Sequence, residues 1–181
     1  MRQRFTAAAV FVVLLMSAVS PAQQQEDKSK RPSPPGTAEV TLKGKKVTID
    51  YSRPSARGRK VVGNLIPYGQ VWRTGANEAT TLKTEVALNI GGAKVPAGTY
   101  TIYTLASETA PWKLIINKQT GQWGTVYNQD QDLARIPMKV EKTSAPVEMM
   151  KISFDGTGGT STTMNIEWEN TKLSVPVKEA K

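Results

Sequence analysis

Histidine and cysteine are both missing from this 181-residue chain. Without histidine there is no Ser-His-Asp or Cys-His catalysis, no haem ligation by imidazole and little prospect of a zinc or copper site; without cysteine there are no iron–sulfur clusters. Nor do GxSxG, Walker, GxGxxG or SxxK motifs occur. Most familiar enzyme classes are therefore closed, and no metal or cofactor is expected. Helical periodicity is also scarce, since no segment places apolar residues at i, i+3, i+4 and i+7 over more than two turns. Long apolar runs are confined to Ala7–Val19, which is shorter than the roughly 20 residues a membrane-spanning helix needs.

That run follows Arg2 and Arg4 and precedes Ser20-Pro21-Ala22, the pattern of a secretory signal cleaved after Ala22. Export is the expectation, with no cysteine to take a lipid and no later transmembrane segment. An exported domain without disulfides must draw its stability from a packed core. Loss of Arg2 and Arg4 leaves 22 basic against 15 acidic residues, a charge of about +7. The lysines are dispersed along the chain and only Arg53, Arg57, Arg59 and Lys60 cluster, so solubility accounts for the charge and no nucleic-acid partner is expected.

Residues 23–36, QQQEDKSKRPSPPG, are polar and proline-rich, which predicts a disordered leader before a single domain over 37–178. Ala38, Val40 and Leu42 alternate with polar residues, as do Val47, Ile49 and Tyr51 beyond Gly44, which predicts a hairpin with one buried face. Pro54, Gly58, Gly63 and Pro67 break every period between Arg53 and Tyr68, leaving a long structured loop. Strands are expected at 71–74, 79–88, 99–105, 112–117, 134–142, 147–154, 162–168 and 172–177. The last two are read as a terminal hairpin turning at Glu169–Thr171, and Trp112–Asn117 as a central strand. Some ten short strands predict an all-β antiparallel sandwich or partly closed barrel.

The densest chemistry lies in Trp72-Arg73-Thr74-Gly75-Ala76-Asn77-Glu78-Ala79-Thr80. Trp72 offers a stacking platform, while Arg73, Asn77 and Glu78, with Tyr51, Arg53 and Arg59 from the preceding stretch, offer the donors and acceptors that a saccharide or anionic ligand needs. The same residues also suit a structural network that fastens an irregular loop, with Glu78 accepting from Arg73 or loop amides. Two carboxylate readings stay open besides these: a histidine-free hydrolase or isomerase using Glu78 beside Arg73, among carboxylates that include Asp50, Glu85, Asp130 and Asp132, and an oxygen-only cation site at Asn128, Asp130 and Asp132. Trp123, between Gly121 and Gly124, is the tryptophan outside any strand pattern. The leading reading is a binding module for a small polar or anionic ligand, with a structural or envelope-associated protein as a further alternative. The sequence leaves the oligomeric state open.

The phrases Tyr51-Ser52-Arg53-Pro54-Ser55, Gly58-Arg59, Val71 to Thr80 and Pro96-Ala97-Gly98-Thr99-Tyr100, with the Trp112 strand, resemble the DUF2911 family, exported bacterial proteins without an assigned function. The resemblance covers about Thr37 to Val177. It implies an exported, mainly β domain, periplasmic rather than fully secreted, and supplies no catalytic residue.

Overall fold

The computed structural model describes residues 27–156 and 158–180, so the signal expected at 1–22 and the start of the leader lie outside the described residues. Eleven strands form among the described residues: β1 Pro35–Leu42, β2 Lys45–Ser52, β3 Val71–Trp72, β4 Thr81–Thr84, β5 Leu88–Ile90, β6 Ala93–Val95, β7 Gly98–Leu105, β8 Lys113–Asn117, β9 Asp132–Pro137, β10 Lys139–Phe154 and β11 Ser161–Glu179. They form two antiparallel sheets packed together, ordered β1-β2-β4-β7-β8-β9, with β3 also on β7, and β10-β11-β5-β6. The fold is an all-β sandwich and no barrel closes.

Alternation places the core. Val40, Leu42, Val47, Ile49, Leu82, Ile102, Leu114 and Ile116 of the larger sheet face Met150, Ile152, Met164, Ile166, Leu173, Val175 and Val177 of the smaller one, all buried in one cluster. The intervening residues Thr37, Glu39, Thr48, Asp50 and Lys83 turn outward, in register with one another across the ladder (Thr37 opposite Asp50, Glu39 opposite Thr48, Thr48 opposite Lys83). β8 is interior, as its unbroken apolar run predicts, and four of its five residues are buried. Its outward-facing Ile115 and the neighbouring Tyr103 are buried outside the main core. The 118–131 loop binds back there: the Tyr103 hydroxyl donates to Val126 O (2.6 Å), and Asn117 Nδ2 to Asn128 O (2.8 Å).

Tyr51 locks the two layers together. Its buried hydroxyl accepts from Ile152 N at 2.9 Å and donates to Ile152 O at 3.4 Å. The long loop after β2 closes the exposed edge of β10, where Ala56 N donates to Glu148 O, Met150 N to Pro54 O, and Arg57 N to a Glu148 carboxylate oxygen.

Four expectations need correction. The strand expected at 79–88 divides between the sheets, β4 ending at Thr84 and β5 starting at Leu88. The one expected at 134–142 likewise divides around Met138. No terminal hairpin turns at Glu169–Thr171: β11 runs through as one 19-residue strand, paired with β10. Glu169 has φ 52° and the β10–β11 register shifts nearby, so a bulge moves the buried face from Met164, Ile166 and Trp168 to Leu173, Val175 and Val177. That parity change mimics a turn. Finally, the disordered leader does not reach residue 36: Lys28–Lys30 form a single 3-10 turn and β1 begins at Pro35. The segment carries no apolar anchor, and polar contacts hold it instead.

Candidate functional site

Three segments meet at one corner of the larger sheet: 28–35, 72–80 and 119–124. The middle one is shaped by backbone geometry that few residues tolerate. Thr74 (φ 54°) and Asn77 (φ 57°) are both left-handed, which for a β-branched threonine is unfavourable. Buried hydrogen bonds hold Thr74 there: its carbonyl accepts from Thr80 Oγ1 at 2.8 Å, and its hydroxyl meets Thr104 Oγ1 at 3.3 Å. Between these residues Gly75 has no room for a side chain, because a Cβ would lie 3.0 Å from both Ser52 O and Thr80 Oγ1.

The segment then pairs with the 122–124 stretch. Ala79 N donates to Gln122 O (3.1 Å), Gly124 N donates to Asn77 O (2.9 Å), and Glu78 bridges Trp123 as a one-residue ladder. A Cβ on Gly124 would sit 2.8 Å from Arg73 Cδ and 2.9 Å from Asn77 O. Below, Gln122 Nε2 reaches Thr101 Oγ1 and Tyr103 OH, both at 3.1 Å.

The N-terminal segment straps this loop from the other side. Asn77 Nδ2 donates to Ser33 O (3.2 Å) and Arg53 N to Pro34 O (2.8 Å). Glu78 takes Lys28 Nζ at 2.8 Å and Arg31 Nη1 at 3.0 Å from each carboxylate oxygen. Lys28, then the peptide N–H of Glu78 itself and Arg31, hold the carboxyl at about 2 against an ordinary 4.5, although partial burial works the other way. A general acid needs the opposite shift.

Between the strap and the 120–121 loop lies an open cleft of about 430 Å³ on the outward face of β2, β4 and β7. Hydroxyl-bearing residues Ser33, Ser52, Thr81, Thr99 and Thr120 line it, with Asp50 and Glu78 and with Lys28, Arg31 and Lys83. Lys83 Nζ is 3.4 Å from Asp50 Oδ2, and the other Asp50 oxygen accepts from Thr37 Oγ1 at 2.9 Å.

Of the seven residues read as ligand-binding, Tyr51 and Glu78 line this cleft and the other five do not; Asp50, named among the carboxylates, lines it too. Asn77 holds the strap, and Arg73 donates to Gly75 O (3.2 Å) rather than pairing with Glu78. Trp72 stacks on Trp168 with centroids 5.7 Å apart, packed against the core instead of offering a free platform. Arg53 reaches Met150 O at 3.4 Å, and Arg59 binds Ala56 O and Ser55 O within its own loop. Trp123, by contrast, is 49% exposed beside Glu78.

Sequence reasoning missed Lys28, Arg31 and Ser33, which it placed in the leader, and Lys83 and Thr99, which read as outward strand positions. The signal available for the latter pair was strand alternation. The Asn128–Asp132 stretch is differently employed. Asn128 caps a 3-10 turn, and Asp132 accepts from Asn117 Nδ2 (2.8 Å), Arg135 Nε (2.8 Å) and Tyr127 OH (2.6 Å). Those three donors occupy the carboxylate that a cation would need. Among the described residues no three histidine, cysteine or acidic side chains converge for a metal ion, and no helix is long and apolar enough to cross a membrane.

No curated protein and no solved structure matches the chain. A family model described as "Protein of unknown function (DUF2911)" matches residues 33–177, which takes in the strap's Ser33 and Pro34, the WRTGANEAT loop and all eleven strands but the last residues of β11. On that match over most of its length, the chain belongs to the DUF2911 family.

Proposed function

We propose that this domain is an exported, non-catalytic binding module for a small polar, saccharide-like ligand, seated in the cleft between the strap and the 120–121 loop. The observation that carries the reading is the lining of that cleft, where hydroxyls alternate with both signs of charge and apolar side chains are few. Such a surface suits a ligand that both donates and accepts hydrogen bonds over its whole outline. Half-exposed Trp123 does not line the cleft but is bridged to Glu78, which does, and so offers an apolar face beside it. Export rests on Arg2, Arg4 and the Ala7–Val19 run and a periplasmic location on the family resemblance, and fractionation of cells expressing the full chain tests both.

The hydrolase reading finds less support. Glu78 is ionised, ion-paired and shifted away from general-acid duty, and Arg73 is turned elsewhere. The fastening reading of the motif, by contrast, is favoured by Asn77 and Glu78 themselves, which bind the strap. Fastening and binding are compatible, because the fastened strap forms one wall of the cleft.

Titration of the purified protein with neutral, amino and acidic monosaccharides, followed by tryptophan fluorescence and thermal shift, tests the proposal. Saturable binding by one sugar class is expected, weakened by Lys83→Ala and with its fluorescence signal abolished by Trp123→Phe. Absence of a saturable response to every class rejects it.

A further inference from the structure

The cleft does not end at Lys83. A second open depression of about 340 Å³ continues along the same sheet face, lined among others by Lys46, Thr48 and Glu85. Lys83 and Thr99 belong to both. Ladder register explains the continuity, because Thr48 lies opposite Lys83 and Lys83 opposite Thr99, so the three side chains form one row across β2, β4 and β7. The two depressions are thus halves of one trough. Along β2 it runs from Ser52 to Lys46, about 20 Å at the rise of an extended strand, which is longer than a single sugar ring.

Resting on the saccharide reading above, we infer that the trough accommodates a linear oligosaccharide laid along β2 and β4, with Lys83 and Thr99 as a central subsite shared by its two halves. Chemistry favours a glycan over an extended peptide. A peptide gains affinity in such a place by adding to a free sheet edge, whereas β2 and β4 are interior strands whose ladders are taken by β1, each other and β7. Only side chains address the ligand, and those along the row are threonine hydroxyls and methyls with the stems and heads of lysines. The long Lys83–Asp50 contact, between two largely exposed side chains, is cheap to exchange for ligand hydroxyls. Trp123 lies outside the lining of both depressions and is bridged to Glu78 of the first.

Calorimetric titration with monosaccharides and their linear tetramers, neutral (cello- and chito-oligosaccharides) and acidic (galacturonate), tests this. A tetramer is expected to bind at least about tenfold tighter than its monomer. Thr48→Arg, which fills the far half from a half-exposed position, is expected to remove that gain, so that tetramer and monomer bind the variant alike. Equal affinity for monomer and tetramer, or a tetramer indifferent to Thr48→Arg, overturns the extended trough and leaves the cleft reading standing. Failure of all these sugars to bind overturns both.

Discussion

Replacing Glu78 with glutamine removes one charge and almost no volume, and so asks what the strap's ion pairs contribute. A carboxyl lowered from 4.5 to about 2 would at face value stabilise the folded state by about 3 kcal/mol. Solvent reduces this considerably. The Glu78 side chain is 41% exposed and that of Lys28 57%, whereas Arg31 is only 18% exposed, so about 1 kcal/mol is the expected net worth. Because the folded value is the depressed one, the contribution is complete above the unfolded value near 4.5 and disappears as pH falls toward 2. Urea unfolding of the purified wild type and Glu78→Gln between pH 2 and pH 7, in low salt, reads it directly. The difference between the two curves should be about 1 kcal/mol at pH 7, shrink through the window from 4.5 to 2, and shrink also with added salt. Taking the difference removes every other carboxylate that titrates in both proteins. Arg31→Met should cost more than Lys28→Met, since the guanidinium is less exposed and bonds both oxygens. If Glu78→Gln matches wild type at pH 7, or the difference is independent of acid, the strap is not held by this carboxylate and the account of the corner fails.

Tyr51→Phe should cost about 1–2 kcal/mol, the penalty of leaving the buried Ile152 N–H without its acceptor, and chemical denaturation against Ile152→Val as a packing control measures it. Gly124→Ala forces a methyl into Arg73 Cδ and Asn77 O; a loss of about 1–3 kcal/mol is expected, with hydrogen exchange speeding at the amides of Ala79 and position 124 before the core strands respond. Tyr127 is raised to about 12 by burial first and by its bond to Asp132 second. Its ultraviolet titration should therefore lag behind that of free tyrosine, and Asp132→Asn should bring it down.

The sandwich was legible because burial here follows a period of two, and alternation such as Val47, Ile49, Tyr51 against Thr48, Asp50, Ser52 directly names the inward face. Alternation also misled at its interruptions. A bulge at Glu169 and a turn both change parity, and local sequence does not separate them; what decides is that β11 finds β10 residues on one side from Met164 through Ser174, on both sides of Glu169. The crossings at 85–87 and at Met138 were invisible because they are short, a bend at Glu85-Val86 and a single apolar residue, and neither contains a glycine or proline. For the corner site, sequence marked the loop but not its partners. Glu78 was legible as a fastening residue, yet Arg73, adjacent in sequence, was the nearest apparent cation. The true ones are 50 and 47 residues upstream (78 minus 28 and 78 minus 31), in a stretch judged by its lack of apolar residues. Hydrophobicity identifies segments that enter a core, and it is silent about segments held by charge.

That distinction bears on what the WRTGANEAT loop is for. A left-handed threonine, a glycine with no space for a methyl and an ion-paired glutamate are costly features for a loop that only connects β3 to β4. Each of them, however, spends its interactions on positioning other segments: Thr74 closes the loop on Thr80, Asn77 and Glu78 hold residues 28–35, and 77–79 hold 122–124. The loop therefore builds the walls of a cleft whose floor is plain sheet. If so, the groups that meet a ligand are the unremarkable ones, Lys83, Thr99 and Asp50 on rigid interior strands, where neighbouring ladders fix their spacing better than any loop. Substitutions in the loop should then lower stability and affinity together, whereas substitutions at Lys83 or Thr99 should lower affinity alone.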